Sequence, residues 1–101
     1  MILNLLNGTI TQQELLNYYN ANISYISLSK GIYGFVFNCK GVYHIIINSN
    51  LSYYKKRKTI LHELAHIELS HLDQDKTILE FNRNSFEDEA DRYIKKLLET
   101  I

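Results

Sequence analysis

The sequence predicts an α+β domain: an N-terminal helix, a small sheet of two to three strands, a long helix and a C-terminal helix. Two patterns and a length predict it. Between positions 23 and 48 the chain is rich in β-branched and aromatic residues with partial alternation, the pattern of half-buried strands. From about Ser52 onward the apolar residues recur at helical spacing instead. With 101 residues there is room for one core and not for two, so residues 1–101 form a single domain.

The elements follow in order. Gly8 and Thr9 punctuate the chain before TQQELLNYYN, where Leu15, Leu16 and Tyr19 share one face of a short helix beginning near Thr11. ISYISLS at 23–29 and IYGFVFN at 32–38 read as strands. Asn38-Cys39-Lys40-Gly41 supplies turn residues before VYHIIIN at 42–48, which closes a hairpin. Ile60, Leu64 and Ile67, widened by Leu61 and Ala65, then form the stripe of a long helix ending near His71 or Leu72. Positions 73–82 are polar and irregular. Asn84 or Ser85 caps the last helix, with Glu87 or Asp88 placed for a capping box, and Ala90, Ile94, Leu97 and Leu98 give that helix its buried face.

Composition removes several function classes. Eleven basic residues balance eleven acidic ones, so no global field draws the chain to nucleic acid or to an anionic membrane. The run Lys55-Lys56-Arg57-Lys58 beside Tyr53 and Tyr54 is spread round a helix start and reads as a solvated face, not as a direct nucleic-acid site. No apolar stretch reaches the roughly 18 residues of a membrane span. A single cysteine, Cys39, and the absence of a signal-peptide pattern at MILNLLNGTI lead to the expectation of a cytoplasmic protein. The oligomeric state is left open.

Chemistry concentrates in TILHELAHIELSH at 59–71. On a helix, His62 and His66 lie one turn apart on nearly the same face, so both imidazoles can reach a single ion about 2 Å away. Glu63 sits on the flank of that face, placed to act on a water as general base and not to bind the ion itself. HExxH thus sets two ligands and a base in one turn. Two such histidines can also be ordinary polar residues on an amphipathic helix. Against that, the Ile60, Leu64, Ile67 stripe points away from them, so the helix packs with one side and presents the histidines with another. A third ligand is also at hand, since catalytic zinc takes three protein ligands and keeps one open position. In Glu87-Asp88-Glu89-Ala90-Asp91, Glu87 is the first choice and Glu89 the fallback. Asp91 is placed to hydrogen-bond the far nitrogen of a ligand histidine. The same acidic cluster also suits a helix amino terminus. His71 falls roughly 140° round the helix from His66 and reads as a helix-end or core partner. His44 reads as a cross-strand polar residue. The strand at 43–48 is expected to form the cleft edge on which an extended peptide adds. The candidates for stabilising the oxyanion are Tyr53, Tyr54, Arg92, Tyr93 and His71.

At these residues the chain resembles the ImmA/IrrE family of small HExxH metallopeptidases. The passage YHIIINSNLSYYKKRKTILHELAHIELSH, from Tyr43 to His71, is similar to the family's apolar strand ending in Asn, basic segment, T-[IL]-x-H-E-L-x-H and nearby histidine. FEDEADRYIKKLL, from Phe86 to Leu98, is similar to its E-x-E-A-[ND]-x-F-A-x-x-L-L, with Tyr93 and Ile94 where Phe and Ala are usual. The resemblance implies a minimal zincin-like domain and one zinc ion held by His62, His66 and Glu87, with Glu63 as catalytic base. It also implies a protein substrate, a helix-turn-helix transcriptional repressor or similar regulator of phage, mobile-element or stress functions. Many family members continue past the point where this chain stops, so a reduced partner-recognition region is expected. The alternative is a catalytically silent anti-repressor that uses zinc to hold its fold and inactivates a regulator by binding.

Overall fold

A capping box starts the first substantial helix. Thr11 Oγ1 accepts from the Glu14 amide at 3.1 Å, and Glu14 Oε1 accepts from the Thr11 amide at 3.0 Å. The structure, a computed structural model, describes residues 1–70, 79–82 and 89–100. Its order is α1 (Ile2–Leu6), α2 (Gln12–Tyr19), β1 (Ala21–Ile26), β2 (Ile32–Cys39), β3 (Val42–Asn48), α3 (Tyr53–Glu68), β4 (Leu79–Asn82) and α4 (Glu89–Thr100). The class is α+β, as expected, with a larger sheet and one more N-terminal helix than the sequence suggested.

Among the described residues the sheet has four strands, in the order β1-β3-β2-β4. The β2–β3 hairpin pairs antiparallel, Phe37 opposite His44 and Val36 opposite Ile45. Its turn puts Lys40 and Gly41 at positive φ, 52° and 81°, and Asn38 Oδ1 accepts from the Gly41 amide at 3.1 Å. β1 pairs in parallel with β3, Ile23 opposite Ile45, while β4 pairs antiparallel with β2. β3 is therefore interior, flanked on both sides. The expectation that it forms a free cleft edge is corrected: the open edges of the described sheet belong to β1 and β4.

β1 ends earlier than the pattern at 23–29 suggested, because Asn48 claims the following loop. Its buried amide accepts from Leu28 N at 3.1 Å and donates to Ile32 O at 2.8 Å, satisfying backbone groups that would otherwise extend the strand. β4 lies in the segment expected to be irregular, since four residues are too few to display a period.

α3 is capped by Ser52, whose hydroxyl accepts from the Lys55 amide at 3.3 Å, and it gives way at Leu69 to Ser70 with φ 58°. It thus stops short of His71, which lies outside the described residues together with the expected cap at Asn84 or Ser85. Ile60, Leu64 and Ile67 pack with Val36, Ile45 and Ile47 in one core that also takes Ile2, Leu15 and Ala90. The helix crosses the sheet closely at Gly34, where a Cβ would stand 2.5 Å from Ile46 O and 3.0 Å from Thr59 Cγ2. Along α4, Ala90 is buried and Ile94 and Leu97 pack against the core. Leu98, expected in the buried face, is 53% exposed. On the sheet's other face, Phe37 stacks on His44 with centroids 5.1 Å apart, so His44 is the cross-strand residue its pattern suggested.

Candidate metal centre

The i, i+4 spacing on α3 brings His62 Nε2 and His66 Nε2 to 3.0 Å from each other, with the ring planes 81° apart. The other ring nitrogen of His62 lies 2.7 Å from Asp91 Oδ1. A carboxylate accepts, so when His62 donates from Nδ1–H to Asp91 the tautomer that can bind an ion carries its lone pair on Nε2, facing His66. One face of the same ring stacks on Phe81, centroids 3.9 Å apart and planes 17° apart. A ring held on its far nitrogen and on its face has little rotational freedom left, so Nε2 is aimed before any ion arrives.

Two nitrogens bound to one tetrahedral zinc at about 2.0–2.1 Å stand roughly 3.3 Å apart. The observed 3.0 Å is within a few tenths of that, and the donor set of two imidazoles with an outer carboxylate suits zinc. The residues present therefore fit the ion as two of its ligands. Glu87, the expected third ligand, lies outside the described residues. Glu89 is exposed at the start of α4, and among the described residues no group of three His, Cys, Asp or Glu side chains stands together as a ligand set.

Glu63 is fully buried, and His62 and His66 are 3% and 7% exposed. The histidines were expected on a face distinct from the packed one. The structure buries both, because Phe81 of β4 stacks on His62 and Asp91 of α4 bonds its outer nitrogen. Burying a carboxylate at position 63 costs stability that an apolar residue would not, and such a cost is characteristic of functional sites.

α4 is tied to α3 a second time, at Glu68. Glu68 Oε1 accepts from Tyr19 Oη at 2.6 Å and from the Ile2 amide at 2.8 Å, and the Met1 ammonium lies 3.1 Å away. Glu68 Oε2 accepts from Tyr93 Oη. Burial pushes the Glu68 carboxyl up, and these hydrogen bonds outweigh it, leaving the group below its usual range. Burial and the Glu68 hydrogen bond hold the Tyr19 phenol well above its usual value and push Tyr93 up to about 12. Tyr93 is thus occupied at Glu68, not at the histidines. Tyr53 and Tyr54, exposed on the first turn of α3, stand more than two turns before His62. None of the three is placed to stabilise an oxyanion beside the histidine pair. Arg92 is exposed on α4, and His71 lies outside the described residues.

Phe81 is the site residue that sequence reasoning missed. Its one signal was an aromatic residue in a stretch otherwise read as polar and irregular.

A family model described as the IrrE N-terminal-like domain, Peptidase M78, matches residues 16–94. The chain belongs to this family. The matched stretch of the IrrE-like domain runs from within α2 to within α4 and contains His62, Glu63, His66, Phe81, Glu87, Glu89 and Asp91. Comparison with curated proteins and with solved structures gives no significant match. No described helix is long and apolar enough to cross a membrane.

Proposed function

We propose that this IrrE-like domain is a zinc-dependent endopeptidase of zincin-like architecture, acting on a helix-turn-helix repressor or a similar regulatory protein. The observation that carries the reading is the His62–His66 pair, nitrogens 3.0 Å apart, with Asp91 on the outer nitrogen and Glu63 in the same turn of helix.

His62 and His66 would hold the ion, with Glu87 as the proposed third ligand. When bound, zinc polarises the scissile carbonyl and favours ionisation of water at neutral pH. Glu63 takes the proton of the attacking water and delivers it to the leaving amine, the general acid–base role that HExxH assigns to its glutamate. Asp91 fixes the His62 tautomer and Phe81 fixes its ring plane. The burial of all three HExxH residues keeps bulk water from screening these interactions. Because β3 is interior, the sheet edge beside the histidines is that of β4, and a substrate segment in extended form would add there.

Glu63→Gln tests the reading, since it preserves shape and removes the base. Wild-type protein incubated with a denatured protein mixture should generate new peptide N-termini by mass spectrometry, and Glu63→Gln should lower their yield by at least about a hundredfold while binding zinc as before. If the variant inactivates its regulator as well as wild type does, the chain acts by binding alone.

A further inference from the structure

On the side of α3 turned away from the histidines, its first two turns meet the start of α2 and the end of β1 around an open cavity of about 390 Å3. Gln12, Tyr25, Tyr53, Lys56, Arg57 and Ile60 line it. Residues 53, 56, 57 and 60 share one face of the helix, roughly half a turn round from His62 and His66, so the cavity is distinct from the metal centre. Buried Ile60 forms part of its lining, and Tyr25 and Tyr53 are exposed by 52% and 84%.

Two cations project into this space with their positions set by neutral partners. The Lys56 ammonium lies 5.8 Å from the centre of the Tyr25 ring, and Arg57 Nη1 donates to Gln12 Oε1 at 2.6 Å. Neither pairs with a carboxylate among the described residues. Glu14, the nearest acid in sequence on α2, is committed to the Thr11 amide. The placement also works against helix stability. The amino terminus of α3 carries no acidic residue in its first turn, while Lys55, Lys56, Arg57 and Lys58 crowd the end where the helix dipole favours anions. In a chain of zero net charge, this is local segregation and not a general basic character.

We propose that this cavity binds an acidic segment of a polypeptide partner, carboxylates on Lys56 and Arg57 and an apolar side chain between Tyr25 and Tyr53. Charge complementarity selects the acid, and exposed tyrosines are apt anchors for a peptide because each offers a large apolar face with a polar tip. A polypeptide is favoured over a nucleic acid by the zero net charge of the chain and by β1. Its outer edge is open in the described sheet and ends at Tyr25 and Ile26, so an extended backbone can pair beside the cavity. Naming that partner as the substrate rests on the peptidase reading and makes the β1 edge a second docking place, across the described sheet from the β4 edge; the binding itself does not rest on that reading.

The test is a fluorescence anisotropy titration with a short labelled peptide alternating Glu or Asp with apolar residues, against its Gln and Asn counterpart, with peptide integrity followed by mass spectrometry. The acidic peptide should bind at least about tenfold tighter, and Lys56→Gln and Arg57→Gln should each weaken it by about tenfold, with circular dichroism unchanged. Lys95→Gln/Lys96→Gln, which removes two exposed charges from α4, should leave binding as it was. Equal binding of the two peptides overturns the proposal, as does equal weakening by the α4 variant. Tighter binding of a single-stranded oligonucleotide or of ATP with the same dependence on Lys56 and Arg57 also overturns it. Acidic-peptide binding without any cleavage would sink the peptidase reading and leave the cavity assignment standing. Cleavage indifferent to both cations, in a protein that does not bind the acidic peptide, would do the reverse.

Discussion

His62 is held on three sides: Asp91 holds one nitrogen, Phe81 holds a face, and His66 faces the other nitrogen. Removing the first contact should loosen the ring without removing a ligand. Asp91→Ala is expected to weaken zinc affinity by about 10–100-fold, measured by competition with a chromogenic chelator. Unchanged affinity would mean that Asp91 plays no part in aiming the ring. At this scale much was legible, because contacts between residues four apart on one helix follow from helical geometry alone. That is how the His62–His66 pair could be read. Asp91 was legible as a chemical type in the right cluster. Phe81 was not, since the ring it touches is nineteen positions earlier in the chain and nothing local encodes that pairing.

Among the elements, those announced by local chemistry were placed well. The Thr11–Glu14 capping box opens α2, and the Asn38–Gly41 turn fixes the β2–β3 hairpin. The elements that depend on distant partners were not: α1, only five residues long, is held by burial of Ile2 and Leu5, β4 by pairing with β2, and the parallel neighbour of β1 by the order of the sheet. The same dependence makes Gly34 informative. A Cβ there meets the Ile46 carbonyl, which is backbone and cannot swing aside, and then the Thr59 methyl beneath α3. Gly34→Ala should push the HExxH helix off the sheet and lower stability by about 2–3 kcal/mol in urea unfolding. A loss under about 0.5 kcal/mol, the range of neutral surface changes, would show that the helix does not press on the sheet at this point.

Across the whole molecule, Glu68 gathers α1, α2 and α4 onto the end of α3, so the helical layer that carries Asp91 to His62 depends on one carboxylate. Its folded-state pKa is lowered, so its contribution is fully present above the usual carboxylate value of about 4.3 and is lost as pH falls through the lower folded value. The phenols have the opposite sign. The Tyr19 and Tyr93 pKa values are raised, so their contribution is present at neutral pH and fades above the ordinary tyrosine range. Glu68→Gln should therefore cost about 2 kcal/mol near pH 7, and the gap to wild type should narrow as the pH drops below about 4. A gap that stays constant with pH would assign the loss to shape and not to charge. Little of this assembly was visible beforehand, because Glu68 reads in sequence as one more polar residue on a helix, and its partners come from both ends of the chain.

The account as a whole stands on an ion between His62 and His66. Elemental analysis of the purified wild-type protein, set against His66→Ala prepared in the same way, tests this most directly. The account predicts about one zinc per wild-type chain and essentially none in the variant. A wild-type protein that is folded, metal-free and still able to cleave polypeptides would contradict it.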